Sequence, residues 1–195
     1  MQVITIPPPA LRHVSKPLRR VDKALGQMVA NMFELMYEHR GVGLAANQVN
    51  LPFQLFIVND AGERGAGEEL VFLNPVLQLP GGRDEDDEGC LSIPGVYGPV
   101  VRPARIQVLA WDLAGNKIDR VVEGRLARII QHEYDHLQGV LFPDRMSEGA
   151  RREIAPELEA FEHEYLSQLR QDESLGAASV ARHLAALEAD YCQTG

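Results

Sequence analysis

From Val21 to Arg40, apolar residues recur at spacings of three and four: Leu25, Met28, Val29, Met32, Phe33, Met36 and Tyr37. That period predicts an amphipathic helix laid against a core, with Gly41 as its stop. After the glycine-rich stretch Gly41 to Leu44 the pattern shortens to β-type runs at Gln54–Val58, Leu70–Leu73, Val76–Leu79 and Arg105–Trp111. A hairpin is predicted over Trp111–Arg120, turning near Gly115-Asn116. Helical spacing returns in Leu126, Ile129, Ile130 and Leu137, between Gly124 and Gly139, and predicts a short helix over Arg125–Leu137. Beyond Ser147 the chain is rich in Ala, Leu and Glu and predicts one or two more helices, the second over Ser174–Cys192.

Composition narrows the class. With 195 residues, 45% of them apolar and 24% charged, the chain has the profile of a globular protein. At this length folding hides roughly 70% of the surface of the unfolded chain, enough for one main domain with one sizeable core. The 28 acidic and 19 basic side chains leave a net charge of -9, which disfavours direct binding to nucleic acid. Six of those nine net charges fall between Ser147 and Gly195, where ten acidic residues face four arginines, the pattern of a solvated helical extension. The run Asp84 to Glu88 is five carboxylates long and predicts an exposed loop.

Cys90 and Cys192 are too few for a disulfide framework and suit a reducing compartment. No stretch reaches the roughly 18 apolar residues of a membrane span, so no membrane partner is expected. Met1 to Pro9 lacks the apolar run of an export signal, which predicts a cytoplasmic protein.

The sharpest chemical signal is His132-Glu133-Tyr134-Asp135-His136. On a helix, residues four apart differ by roughly 40° around the axis, so the two imidazoles face one side and can bind one metal ion. Glu133, beside them, can touch a water at the ion without being a ligand, which suits a general base. The apolar approach, Leu126 to Gln131, places this helix inside the protein, where unpaired imidazoles would be costly. A catalytic site of this type needs a third protein ligand and one open position. The extended motif with a third histidine fails, because position 142 is Phe142. Glu153 and Glu157 are available downstream, and Cys90 upstream offers a thiolate, or alternatively a small buried hydrophobe. Gly41-Val42-Gly43 reads as a turn or as a flat edge for an extended peptide. It is no phosphate loop, since no Lys-Ser or Lys-Thr follows.

Three segments together, Gly41-Val42-Gly43-Leu44-Ala45-Ala46-Asn47-Gln48, Glu88-Gly89-Cys90-Leu91-Ser92 and Gln131-His132-Glu133-Tyr134-Asp135-His136, closely resemble the signature motifs of the peptide deformylases, in the right order. Pro9-Ala10-Leu11-Arg12, Asn74-Pro75, Arg102-Pro103 and Gly139-Val140-Leu141-Phe142 extend the resemblance over most of Met1 to Ser147. It implies an α+β fold with antiparallel β-sheets around the central metal-binding helix, a catalytic domain over 1–147 and an acidic helical C-terminal extension over 148–195. The implied ligands are Cys90, His132 and His136, holding one divalent ion, Fe2+ in the cell, with Zn2+, Ni2+ or Co2+ as substitutes.

The implied reaction removes the N-formyl group from N-formyl-methionyl nascent chains of a bacterium or an organelle, near the ribosome, and releases formate. Glu133 is the implied base, and the Gln48 amide and the Leu91 backbone N–H are the implied donors to the formyl oxygen, each worth roughly 3 kcal/mol. Val42, Gly43, Gly89 and Ile129 are the implied substrate contacts, with the His132 ring as one wall. Arg125 and Arg128 are expected to point to solvent, and Arg102 and Asp135 to orient the ligand shell. Asn47 and Asn50 depart from the residues frequent in the family, and the acidic tail departs further. Competing classes are an endopeptidase of the His-Glu-x-x-His type and a metal-stabilised binding protein without turnover.

Overall fold

The computed structural model describes residues 1–192, so the last three residues of the expected extension 148–195 lie outside the described residues. A five-stranded antiparallel sheet has the order β1 (Gly43–Ala45), β2 (Leu55–Val58), β3 (Leu70–Gly81), β6 (Arg105–Trp111), β7 (Lys117–Glu123). A separate antiparallel hairpin pairs β4 (Asp84–Cys90) with β5 (Ile93–Arg102). The expected α+β class and antiparallel sheets are present.

Strand β2 shows how the layers form. Its four residues Leu-Phe-Ile-Val are all buried because both faces of the sheet are covered here. Leu55 and Ile57 join the cluster of α1 (Lys23–Glu38), with Leu25, Val29, Met32 and Met36. Phe56 and Val58 point the other way, into the cluster of α2 (Gly124–Leu137), with Ala127, Ile130 and Leu137. Period-two alternation on the strand thus serves two helices of period 3.6. Asp22 caps α1 by accepting the Leu25 N–H at 2.9 Å, and Gly41 satisfies the carbonyl of Met36 at 2.8 Å. Asn50 sits at φ 60°, a left-handed conformation that asparagine tolerates.

The expected exposed loop over Asp84–Glu88 is instead strand β4. Its partner β5 alternates buried Ile93, Val96 and Val100 with exposed residues, and this apolar face anchors the hairpin. Asp84 to Asp87 stay exposed, whereas Glu88 is buried. The tail folds as three helices, α3 (Glu148–Glu153), α4 (Ala155–Gln171) and α5 (Ala177–Tyr191), one more than the composition predicts.

Helix α5 returns to the body of the protein. Leu184 is buried with Ile4, Leu11 and Phe142, and Tyr191 packs its ring 5.1 Å from that of Phe53. The Arg20 guanidinium lies 4.9 Å from the Tyr191 centroid, Arg19 donates its N–H to the Tyr191 carbonyl at 2.8 Å, and His13 pairs with Glu188 at 2.7 Å. Tyr191→Ala is therefore expected to cost about 3 kcal/mol, the cavity left by a buried aromatic, measured as a lower urea midpoint. A loss under about 1 kcal/mol would show that α5 contributes little to the core.

Candidate active site

Helix α2 crosses the molecule with its apolar side on the large sheet and Ile129, His132 and Glu133 facing a cleft of about 680 Å³. The opposite wall is the end of β4. The His132 and His136 ring centroids are 5.1 Å apart, and Cys90 Sγ lies 3.2 Å from His136 Nε2. One ligand atom from each of Cys90, His132 and His136 falls within 4.8 Å of the others. The structure thus gathers the three expected ligands from segments more than forty residues apart. Of the other candidates, Glu153 and Glu157 are exposed on the tail helices, and the second cysteine, Cys192, sits apart from the cluster against the Lys16 carbonyl.

The donor set fits a divalent transition ion. A thiolate and two imidazoles suit iron, zinc or cobalt, and three protein ligands leave a position for a reactant. His132 Nδ1 is engaged by Glu88 Oε2 at 2.9 Å, which commits its other nitrogen to the cluster.

Glu88, expected in an exposed loop, is instead buried beside the cluster. It is 5% exposed and receives Arg102 Nε at 2.6 Å, Arg102 Nη2 at 2.8 Å and Arg128 Nη1 at 2.8 Å. Burial alone would raise its pKa. The hydrogen bonds from Arg102 and His132 outweigh burial and hold the carboxyl well below the ordinary range. Arg102 reaches on through Nη1 to Asp135 at 2.8 Å, and Asp135 also takes two bonds from Arg145, at 2.6 and 3.0 Å. Arg128, expected in solvent, is buried, because Glu88, Asp84 and the Val100 carbonyl supply its acceptors. Arg125 is exposed as expected and pairs with Asp60.

Glu133 is 4% exposed, and its Oε2 has no hydrogen-bond partner among the described residues. Burial pushes its pKa up to about 7, a value suited to exchanging protons near neutrality. His136 is held well below the usual histidine range by burial and by the charges of His132 and Arg102. Its position is fixed partly by Asn47, whose side-chain amide donates to the His136 carbonyl at 2.5 Å.

Gln48 is buried in a short 3-10 turn over Ala46–Val49. Its Oε1 accepts the Ala45 N–H at 2.8 Å, and its Nε2 donates to Ser92 Oγ at 3.1 Å while lying 3.4 Å from Cys90 Sγ. The amide orientation is thereby set, with its NH2 turned toward the cluster. Leu91, Val42, Gly43, Gly89 and Ile129 all line the same cleft.

The structure gives Gly43 a reason that its own segment cannot reveal. A Cβ there would stand 2.8 Å from Glu133 Cδ, inside contact distance of the carboxylate. Gly43→Ala is expected to displace Glu133 and lower kcat/KM about a hundredfold with metal content unchanged, since small misplacements of a reacting group carry penalties of that size. Less than a fivefold loss would show that Glu133 relaxes without cost.

The Polypeptide deformylase family profile matches residues 1–152. The chain is 46% identical over 191 residues to the peptide deformylase of Rhodopirellula baltica, covering 98% of this chain and 95% of the relative. It is 43% identical over 166 residues to the chloroplastic/mitochondrial peptide deformylase 1B of Arabidopsis thaliana, covering 85% of this chain and spanning 61% of the relative. A plant peptide deformylase crystal structure superposes with a TM-score of 0.84 at 42% identity, over 86% of this chain and 92% of the other.

Proposed function

Because the chain belongs to the peptide deformylase family, we infer that it is a metal-dependent hydrolase that removes the N-formyl group from N-formyl-methionyl nascent polypeptides and releases formate. The observation that carries this reading is the buried Glu133 oxygen, without a hydrogen-bond partner among the described residues, in the cleft that also holds the Cys90, His132 and His136 cluster. An ion held by these three residues, which we propose is ferrous in the cell with zinc, nickel or cobalt as substitutes, would supply Lewis acidity that makes water acidic enough to ionise near neutrality.

The remaining work falls to the chain's own groups. Glu133 accepts a proton from the attacking water as oxygen bonds to the formyl carbon. Negative charge then grows on the formyl oxygen, where the Gln48 Nε2 and the Leu91 N–H are the donors that lower its energy. When the C–N bond breaks, Glu133 returns the proton to the departing amine, leaving formate and a free amino terminus. The methionine side chain packs against Val42, Ile129 and the ring of His132. Strands β1 and β4 each have only one strand neighbour among the described residues, so Gly43 and Gly89 lie on strand edges open to an extended peptide.

The described part of the extension 148–195, through residue 192, acts in this reading as a clasp on the catalytic unit of 1–147. The relatives in a bacterium and in plastids or mitochondria support a cytoplasmic or organellar setting. Nascent chains are met near the ribosome without a grip on RNA, as the net charge of -9 favours.

The test is formate release from formyl-Met-Ala-Ser. Chelation of the ion is expected to lower the rate at least a hundredfold, and ferrous salt added without oxygen is expected to restore it. Cleavage of an unformylated peptide in place of formate release would overturn this reading in favour of an endopeptidase.

A further inference from the structure

The loop between β2 and β3 folds around a single side chain. Asn59, the first residue after β2, is fully buried. Its Oδ1 accepts the Ala61 N–H at 3.0 Å, and its Nδ2 donates to the Tyr37 Oη at 2.8 Å and the Ala66 carbonyl at 2.9 Å, with the Glu63 carbonyl at 3.1 Å. Only this orientation of the amide meets an N–H on one side and carbonyls on the other. Tyr37 Oη itself donates to Glu69 at 2.6 Å, so toward Asn59 it is an acceptor. The chain wraps the side chain so closely that a Cβ at Gly67 would lie 2.6 Å from Asn59 Oδ1.

None of residues 59–69 lines the cleft, yet the loop reaches two residues that do. On the β1 side, the Asn59 N–H holds the Val42 carbonyl at 2.9 Å. Gly62, at φ 68°, packs against the Val42 side chain, where an added Cβ would stand 3.3 Å from Cγ1. On the α2 side, the Asp60 carbonyl accepts Arg125 Nη1 at 3.0 Å, one helical turn before Ile129. Val42 and Ile129 are the two apolar walls of the proposed methionine pocket. One loop thus backs the first wall and is tied to the helix that carries the second.

Resting on the deformylase reading, we propose that Asn59 is a positioning residue: by closing the loop 59–67 it fixes the spacing between Val42 and α2 and so sets how large a side chain the pocket takes beside the formyl group. Asn59 does not touch the substrate. Without its side chain, the Ala61 N–H and the Glu63 and Ala66 carbonyls turn to water, Gly62 draws back and Val42 loses its backing. The pocket binds a part of the substrate that does not react, so the effect belongs mainly in KM. A looser pocket also discriminates less, since in a packed one a single methylene is worth roughly tenfold or more.

The experiment compares formyl-Met-Ala-Ser with formyl-Phe-Ala-Ser by formate release, for the metal-loaded full chain and for Asn59→Ala, Gly62→Ala and Arg64→Gln. Asn59→Ala is expected to raise KM for formyl-Met-Ala-Ser about threefold or more with kcat within about twofold, and to raise the Phe-to-Met ratio of kcat/KM by about threefold or more. Gly62→Ala acts in the opposite sense: its methyl group, closer than ordinary contact, presses Val42 toward the pocket and lowers that ratio by about threefold or more. It leaves the Asn59 amide in place, so it decides the matter alone if Asn59→Ala does not fold. Arg64→Gln alters the same loop, but the Arg64 partners are Glu34 and the Tyr37 ring, so the ratio should be preserved. A merely structural role of Asn59 would lower the urea midpoint and leave the ratio alone. A ratio that does not move in these opposite directions, or that moves equally in Arg64→Gln, would overturn the positioning role and leave the deformylase reading in place. No formate from formyl-Met-Ala-Ser with the parent protein would overturn both.

Discussion

Glu133→Gln is expected to lower deformylation about a thousandfold while the protein keeps its fold and one metal ion per chain. The substitution preserves shape and burial and removes only the proton-accepting oxygen, so no cavity and no unpaired charge arise. Elemental analysis and the urea midpoint check the two retained properties, and formate release checks the loss. A rate within tenfold of the parent would mean that proton transfer does not pass through this carboxylate. The acid side of the pH profile follows from the same group. Glu133 must be ionised to accept a proton, and burial places its pKa at about 7 in the metal-free protein. A neighbouring cation favours the ionised form, so kcat/KM of the loaded enzyme is expected to decline only as pH falls below 7. Carbon NMR of the labelled, metal-free protein should show Glu133 titrating near 7. Titration near 4 would remove the basis for this expectation.

Arg102→Met carries the largest expected loss of stability, about 3–5 kcal/mol, because it removes a buried cation and three of its bonds from Glu88 and Asp135, leaving them only Arg128 and Arg145 as arginine partners. Arg102 is 5% exposed and bridges Glu88 to Asp135. Glu88 in turn orients His132, so activity should also drop roughly ten- to a hundredfold. Arg102→Lys should rescue little of either, since an ammonium cannot match the three directed bonds of the guanidinium. The sign of the pH effect is set by Glu88, whose folded-state pKa is depressed. The stabilisation from its ion pairs is complete above the ordinary carboxylate range of about 4 and is lost as pH falls below it. In Arg102→Met that acid-dependent loss should be smaller. An unfolding midpoint and a rate both close to those of the parent, the rate within threefold, would show that the network is dispensable.

Much of this arrangement is legible in the sequence where the information is local. The α1 and α2 periods announce buried faces, and the two imidazoles four residues apart share a side wherever the helix is placed. Cys90 is legible only jointly with its neighbours, as part of a motif. What escapes is compensation between distant groups. Five successive carboxylates look solvated, and only Arg102 and Arg128, 14 and 40 residues further on, make Glu88 a tolerable buried charge. One clue was present: in a strand, residues two apart share a face, so reading Asp84–Cys90 as extended would have put Glu88 beside the metal ligand. Arg128 is hidden by the same logic, since its acceptors belong to the hairpin and not to its own helix. Gly43 looks like a turn residue until the carboxylate of Glu133, 90 positions away, is seen to occupy the space of its missing side chain.

The Tyr191 ring set between Phe53 and Arg20 has a consequence for how the enzyme is born. The α1 and β2 layer is covered in part by a residue that follows the catalytic motifs in the chain, and the His13–Glu188 pair closes a loop of 175 positions. Such long-range closure is slow to form. The contacts of Tyr191 with Phe53 and Arg20 therefore form only once the chain through position 191 has been made, after the segments that carry Cys90, His132 and His136.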